Sequence, residues 1–341
     1  MKINMREWRK NVIASKDVIA VPVMTHPGID ATGHSVREAI TTGIVHAKAI
    51  RYLANHYPTG ACCTAMDLTV EADSFGAPIL FPENEIATVS GRLLKDADDI
   101  HRLKIPTLES GRIKEYLKAN VIAAREVIDR PVFAGCIGPF SLAGRLYDMS
   151  EIMILAYSEP ELTHELLEKC TDFILHYCIA LKAAGSNGVV MAEPAAGLLS
   201  NDGCLEFSSK YVKKIVDAVQ DDYFMVILHN CGNTGHCTQA MVATGADAYH
   251  FGNKCDMAEV LKEVPQDKLA MGNLDPVSIF KQGTADEMRQ AATELLERCS
   301  SYPNFVLSSG CDTPPDTPLA NIDAFFEALH TFNDRKNSHL Y

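Results

Sequence analysis

Eight short apolar runs, separated by stretches with helical spacing, restrict what this chain can fold into more than any other feature. They are Val18–Met24, Ala61–Met66, Val132–Ile137, Gly188–Ala192, Phe224–His229, Ala246–His250, Lys268–Gly272 and Asn304–Leu307. Runs of this length and character read as strands buried on both faces, the mark of a parallel sheet. Parallel neighbours need crossovers. Ser35–His56, Ser110–Ile128, Pro160–Ala184, Asn201–Val219, Asp286–Arg298 and Ile322–Thr331 supply them, with apolar residues at helical spacing. Thr284 and Glu287 have capping-box spacing, and Pro318 with Asn321 and Asp323 suits the start of the last helix. Glu83–Leu103 reads as loop and short helix on a rim. Eight units is the number that closes a (β/α)8 barrel. The expected fold is therefore α/β, a TIM barrel with a short N-terminal helical extension over residues 1–17.

At 341 residues, with no Pro/Ser/Gly-rich linker, the chain is expected to form a single domain over 1–341. No apolar run reaches the roughly 18–20 residues of a membrane span, and the first residues lack a signal-peptide apolar region, so a cytoplasmic protein is expected. The net charge of −13 argues against nucleic acid as a partner, because phosphate binding needs clustered Lys and Arg. The 11 cysteines are an odd count and are expected as free thiols plus a metal site. Cys62 and Cys63 cannot both point inward from one strand. Nothing in the pattern fixes the oligomeric state.

Polar or reactive groups follow each run, where barrel enzymes place their active sites. They include His26, Asp67 with Glu71, Glu193, His229 with Cys231, Asn273 with Asp275, and Cys311. In an extended segment residues i and i+2 share a face, so His229 and Cys231 can share one ion, and Cys311 follows another strand-like run. These three are the candidate ligands of a mononuclear zinc with one position open for a thiol. A structural site from His229, Cys231, His236 and Cys237 competes, although the last two look like the start of the next helix. Glu193 is a fourth ligand, a substrate contact or a paired structural acid. Asp67 and Glu71 lie one helical turn apart and have a helix cap and a solvated acid as their bland reading. Asn273 and Asp275 shape a strand-to-helix turn and are candidates to line the cavity. His26 joins Glu193, Asp67, Asn273 and Asp275 as a candidate substrate contact.

His229-x-Cys231-Gly232, the turn Gly272-Asn273-Leu274-Asp275-Pro276, and Gly310-Cys311 followed by Pro314 and Pro318 resemble the uroporphyrinogen decarboxylase superfamily. Within it they resemble the zinc-dependent methylcobamide:coenzyme M methyltransferases, whose pattern is His-x-Cys and a distant Cys. Asp67-Leu68-Thr69-Val70-Glu71-Ala72 and Gly283–Met288 also look like that branch, and the resemblance runs from about Val18 to Leu329. It implies a barrel, and it implies zinc on His229, Cys231 and Cys311. It further implies methyl transfer between a methyl-corrinoid co-substrate and a thiol such as coenzyme M. A small corrinoid protein would be the partner, docking on loops Glu83–His101 and Asn230–Gln239.

Two departures stand out. The decarboxylases carry an arginine-bearing Met-Arg-Gln-Ala-Gly-Arg motif, whereas this chain has Met24-Thr25-His26-Pro27-Gly28-Ile29. The methyltransferases often have a glutamate after the strand corresponding to Ala246–His250; here Phe251-Gly252-Asn253-Lys254 leaves the fourth zinc position to Glu193, His250 or water. The alternatives are a metal-independent decarboxylase and a non-catalytic corrinoid-protein partner with the same barrel.

Overall fold

The structure, a computed structural model, describes residues 2–338. Seven of the eight runs form one parallel sheet in chain order: β1 (Cys62–Cys63), β2 (Val132–Ile137), β3 (Gly188–Ala192), β4 (Met225–Asn230), β5 (Ala248–Phe251), β6 (Leu269–Leu274) and β7 (Phe305–Ser309). The eighth, residues 18–24, is extended but not a full strand. Ala20 bridges Leu307 in β7, and its carbonyl accepts from the Gly60 N–H at 2.8 Å just before β1. That segment joins the sheet's two edges, and the fold is a TIM barrel. Pro22 has no N–H to offer, and the Val23 N–H goes to the Ser309 hydroxyl at 3.1 Å, so no regular ladder forms.

β1 is shorter than the run Ala61–Met66 for a similar reason. The Ala65 N–H donates to His46 Nε2 at 2.9 Å and the Met66 N–H to Asp312 Oδ2 at 3.3 Å. Alternation sends Cys63 into the barrel interior with Val21, Phe133, Val190, Ile227 and Met271, while Cys62 packs outside with Ile50 and Val127.

The N-terminal extension is the helix α1 (Met5–Ala14), started by the Asn4 side chain accepting from the Glu7 N–H at 2.9 Å. Met5 and Val12 join the interior cluster, and Trp8 meets the Phe133 ring edge-on at 6.1 Å. Arg9 pairs with Asp247 just ahead of β5. α1 thus closes the amino-terminal end of the barrel.

Two expected helices are interrupted. Ser35–His56 is two helices, Val36–Thr41 and Gly43–His56, because Thr42 is extended and the Gly43 N–H donates to Glu115 at 2.8 Å. Asn201–Val219 contains a π turn at Leu205–Ser209 between α-helical segments. Pro160–Ala184 is one helix, and the Thr284/Glu287 capping box is formed. The rim segment holds the short helix Ala97–Arg102, and its residues Thr88–Val89 pair with Ile79–Leu80 just before it in an unanticipated two-stranded ribbon, too short to show alternation in sequence. Among the described residues no helix is long and apolar enough to cross a membrane.

The floor has a testable energetic role. Met5 is 1% exposed, so Met5→Ala is expected to lower the unfolding free energy by about 2–5 kcal/mol. Urea denaturation followed by the fluorescence of Trp8, the chain's single tryptophan, measures it.

Candidate metal centre

β4 carries His229 inward near its carboxyl end, and the chain turns immediately afterwards. The Asn230 side chain drives that turn by accepting from the Gly232 and Asn233 N–H groups at 3.1 and 3.0 Å. Asn233 in turn accepts from Gly235 and Cys237 at 2.9 and 3.0 Å, which fixes the loop beyond Cys231. A Cβ at Gly252 would lie 2.7 Å from the Cys231 Cα, and one at Gly310 2.7 Å from the Asn253 nitrogen. Those two glycines let the loops after β4, β5 and β7 approach one another.

As a result His229, Cys231 and Cys311 bring their ligand atoms within 4.8 Å of one another. His229 is fully buried, and both cysteines are partly exposed. The thiols are linked: a hydrogen bond from Cys311, with His229 nearby, pulls Cys231 down to about 4. The same bond, with burial, pushes Cys311 up. With one sulfur of the pair favouring its thiolate form, the two are suited to take up a divalent cation.

The imidazole is oriented by a directional chain. Ser308 Oγ donates to the Val21 carbonyl at 2.7 Å, so it accepts from His250 Nε2 at 2.8 Å. His250 Nδ1 must then accept from His229 Nδ1 at 2.7 Å. This assignment leaves a lone pair on His229 Nε2, a buried atom with no hydrogen-bond partner. A buried nitrogen without a partner costs about 1–3 kcal/mol, and a metal ion satisfies it. Two thiols and a neutral imidazole suit zinc by ligand softness. The residues present therefore fit the group.

The other expected site residues divide. His26 and Asp67 lie with Cys311 and Asp312 on the wall of one cavity of about 160 Å³. His26 Nδ1 faces the Thr313 carbonyl at 2.9 Å and Asp312 at 3.6 Å. Burial works against its charge, but Asp312 and the carbonyl outweigh burial and raise its pKa. Asp67 accepts from Arg112 at 2.5 Å, Tyr116 at 2.8 Å and the Thr69 hydroxyl at 2.6 Å. Burial opposes ionisation of Asp67, yet Arg112 and the hydrogen bonds hold its pKa below the usual range. Glu71 is not a solvated acid: it is buried, accepts from the Ile137 N–H at 2.9 Å, and burial raises it to about 7.

Glu193, Asn273 and Asp275 do not line that cavity. Glu193 accepts from the Phe140 and Ser141 N–H groups, both at 2.8 Å, and from the Ser208 hydroxyl at 3.1 Å. This is the paired-acid arrangement, with burial raising its pKa. Asn273 donates to the Gly252 and Cys255 carbonyls at 2.9 and 2.8 Å. Asp275 accepts from the Val277 and Ser278 N–H groups at 2.8 and 2.9 Å, which is the turn-shaping role. Cys237 is buried and directed to the Leu199 carbonyl at 3.5 Å, while His236 Nε2 meets the same carbonyl at 2.9 Å, away from the three-residue cluster. Sequence reasoning did not find Asp312, Arg112 or Arg145 near the cavity, because what brings them there, contacts of Asp312 and Arg112 with other elements and the packing of the Arg145 helix, is tertiary. Both ring nitrogens of His250 are engaged, one of them on His229.

Removing an orienting partner of a metal-bound histidine typically costs about 10–100-fold in metal affinity. His250→Ala is expected to weaken zinc binding by that factor. Competition with a zinc chelator checks it; unchanged affinity would contradict the orienting role.

Known proteins resemble this chain in sequence and in fold. The chain is 28% identical over 270 residues to "Methylcobamide:CoM methyltransferase MtbA" of Methanosarcina mazei, covering 78% of each protein. It is also 28% identical over 282 residues to a uroporphyrinogen decarboxylase of Legionella pneumophila, covering 80% of this chain and 79% of that protein. The solved structure of a methyltransferase from Methanosarcina mazei has the same fold, with a TM-score of 0.86 at 23% identity over 97% of this chain and 99% of that one. Residues 13–332 match the uroporphyrinogen decarboxylase (URO-D) family, and the chain belongs to it.

Proposed function

We propose that this protein is a zinc-dependent corrinoid methyltransferase, moving a methyl group between a protein-bound methyl-corrinoid and a thiol such as coenzyme M. It would act as one barrel domain in the cytoplasm. The observation that carries the proposal is the buried, unpartnered His229 Nε2 facing two linked thiols at the barrel mouth. The two relatives above share the same 28% identity with the chain, so the residues themselves must separate the readings. A decarboxylase has no use for a His/Cys/Cys cluster, and residues 24–29 lack the arginines that would hold a tetrapyrrole's carboxylates.

Held by His229, Cys231 and Cys311, zinc would keep a bound thiol as its thiolate at neutral pH and leave it nucleophilic. The protein's own residues do the rest. The His250–Ser308 chain keeps His229 in one tautomer and one orientation. Apolar walls at the cavity, among them Val36, Ile40 and Ala87, limit water around the reacting sulfur. His26, whose Nδ1 is occupied by Thr313, has Nε2 available to relay to solvent the proton that an arriving thiol releases. When bound, the methyl-corrinoid would supply the methyl group to the thiolate sulfur and keep the electron pair of the broken Co–CH3 bond.

The corrinoid must reach this mouth from outside, presented by a small corrinoid protein. Ile86, 50% exposed on the rim segment, and Leu198, 66% exposed after β3, offer apolar contacts to such a partner.

Cys311→Ala is expected to lose zinc and reduce methyl transfer to background while the circular dichroism spectrum is retained. Loss of alkyl-cobalt absorbance from methylcobalamin with coenzyme M reads the activity, and elemental analysis reads the metal. Stoichiometric zinc in the variant would remove Cys311 from the ligand set. Binding of the thiol to zinc-loaded protein is expected to release about one proton near neutrality. Calorimetry in buffers of different ionisation enthalpy measures that release, and its absence would mean the thiol stays protonated.

A further inference from the structure

A cation without a counterion faces the cavity beside Cys311. Arg145 stands on the helix Pro139–Tyr147, whose first turn is held by Glu193, and its side chain lines the same cavity as Cys311 and His26. Among the described residues no hydrogen bond or ion pair engages its guanidinium, and Asp67 is the one acid that acts on its charge. Asp67 is already committed to Arg112, Tyr116 and Thr69. The other acid on the wall, Asp312, is turned to His26 and the Met66 N–H. Burial lowers the Arg145 pKa, the expected signature of a charge that the protein does not compensate.

A partly buried guanidinium is costly to leave unpaired, and its donors in a fixed fork suit a carboxylate, sulfonate or phosphate. The remaining lining is largely apolar, with Val36, Ile40, Leu68 and Ile86. The cavity's volume of about 160 Å³ is that of roughly five waters at ~30 Å³ each, which suits a small molecule. One cation, one short apolar stretch and one sulfur-binding centre in a single small cavity describe one kind of ligand.

We infer that Arg145 is the residue that anchors the anionic group of the acceptor, holding it while the acceptor's sulfur reaches the centre at Cys311. The thiol half of this statement rests on the function proposed above; the anion subsite stands on the cavity alone. Arg145 is then a specificity-determining residue: it favours thiols that bring an anion to its unpaired charge.

Calorimetric titration of the zinc-loaded protein tests this with 2-mercaptoethanesulfonate, 3-mercaptopropionate and the neutral 2-mercaptoethanol. A charge-assisted contact corresponds to about a tenfold to hundredfold change in affinity. Wild-type protein is expected to prefer the two acids over 2-mercaptoethanol by that factor. Arg145→Gln is expected to lose the preference without changing the affinity for 2-mercaptoethanol, and Arg145→Lys to restore part of it. Equal weakening of all three thiols by Arg145→Gln, or no preference in the wild type, would overturn the inference. The melting temperature of Arg145→Gln is expected to hold or rise, since an uncompensated charge is removed. Ethanesulfonate, which has the anion but no thiol, separates this inference from the methyl-transfer reading. Binding that is present in the wild type and lost in Arg145→Gln upholds the anchor even if no thiol binds. Identical behaviour of the two proteins toward ethanesulfonate removes it.

Discussion

His229 Nε2 is buried without a hydrogen-bond partner, and the chemistry proposed for this protein depends on that nitrogen. The fold does not leave it so by accident of side-chain rotation. Ser308, committed to the Val21 carbonyl, sets the direction of the His250 ring, and His250 claims the other nitrogen of His229. A single change of tautomer would leave two nitrogens, each bearing a proton or each lacking one, facing one another at 2.7 Å. The lone pair is thus directed by the barrel wall itself, because His229, His250 and Ser308 sit on three strands and Val21 on the segment that closes the barrel.

That arrangement requires closure. His229 and Cys231 come from β4 and its loop, and Cys311 follows β7, about eighty positions later in the chain. Parallel strands bring their carboxyl ends to one rim, and the Ala20 contacts with Leu307 and Gly60 join the two edges of the sheet. α1 fills the opposite end with Met5, Val12 and Trp8. The carboxyl-terminal mouth is therefore where a ligand can enter.

Much of this was legible in the sequence, for definite reasons. Buried parallel strands must be continuous apolar runs, so β2 and β3 match their expected limits, and β4 starts one residue late and ends one residue late. The His-x-Cys spacing and a cysteine directly after another strand locate the cluster because strand ends converge in any barrel. Where interactions come from distant side chains, the pattern fails. Pro22 and the side chains of His46 and Asp312 cut short the edges of the sheet, and no local period announces that. Glu193 could be a ligand, a substrate contact or a structural acid by sequence; its position under the Phe140 and Ser141 N–H groups is a tertiary fact. Arg145 is the sharpest case. On its helix it is an ordinary basic residue, and its significance lies in Asp67 having been taken by Arg112.

The most direct test of the central claim is the coordination shell of zinc in the purified protein, read by X-ray absorption before and after addition of coenzyme M. The account predicts two sulfurs at about 2.3 Å and one imidazole nitrogen at about 2.0–2.1 Å, with a third sulfur appearing when the thiol is added. A shell made of oxygen, or one whose sulfur count does not change on adding the thiol, would contradict it.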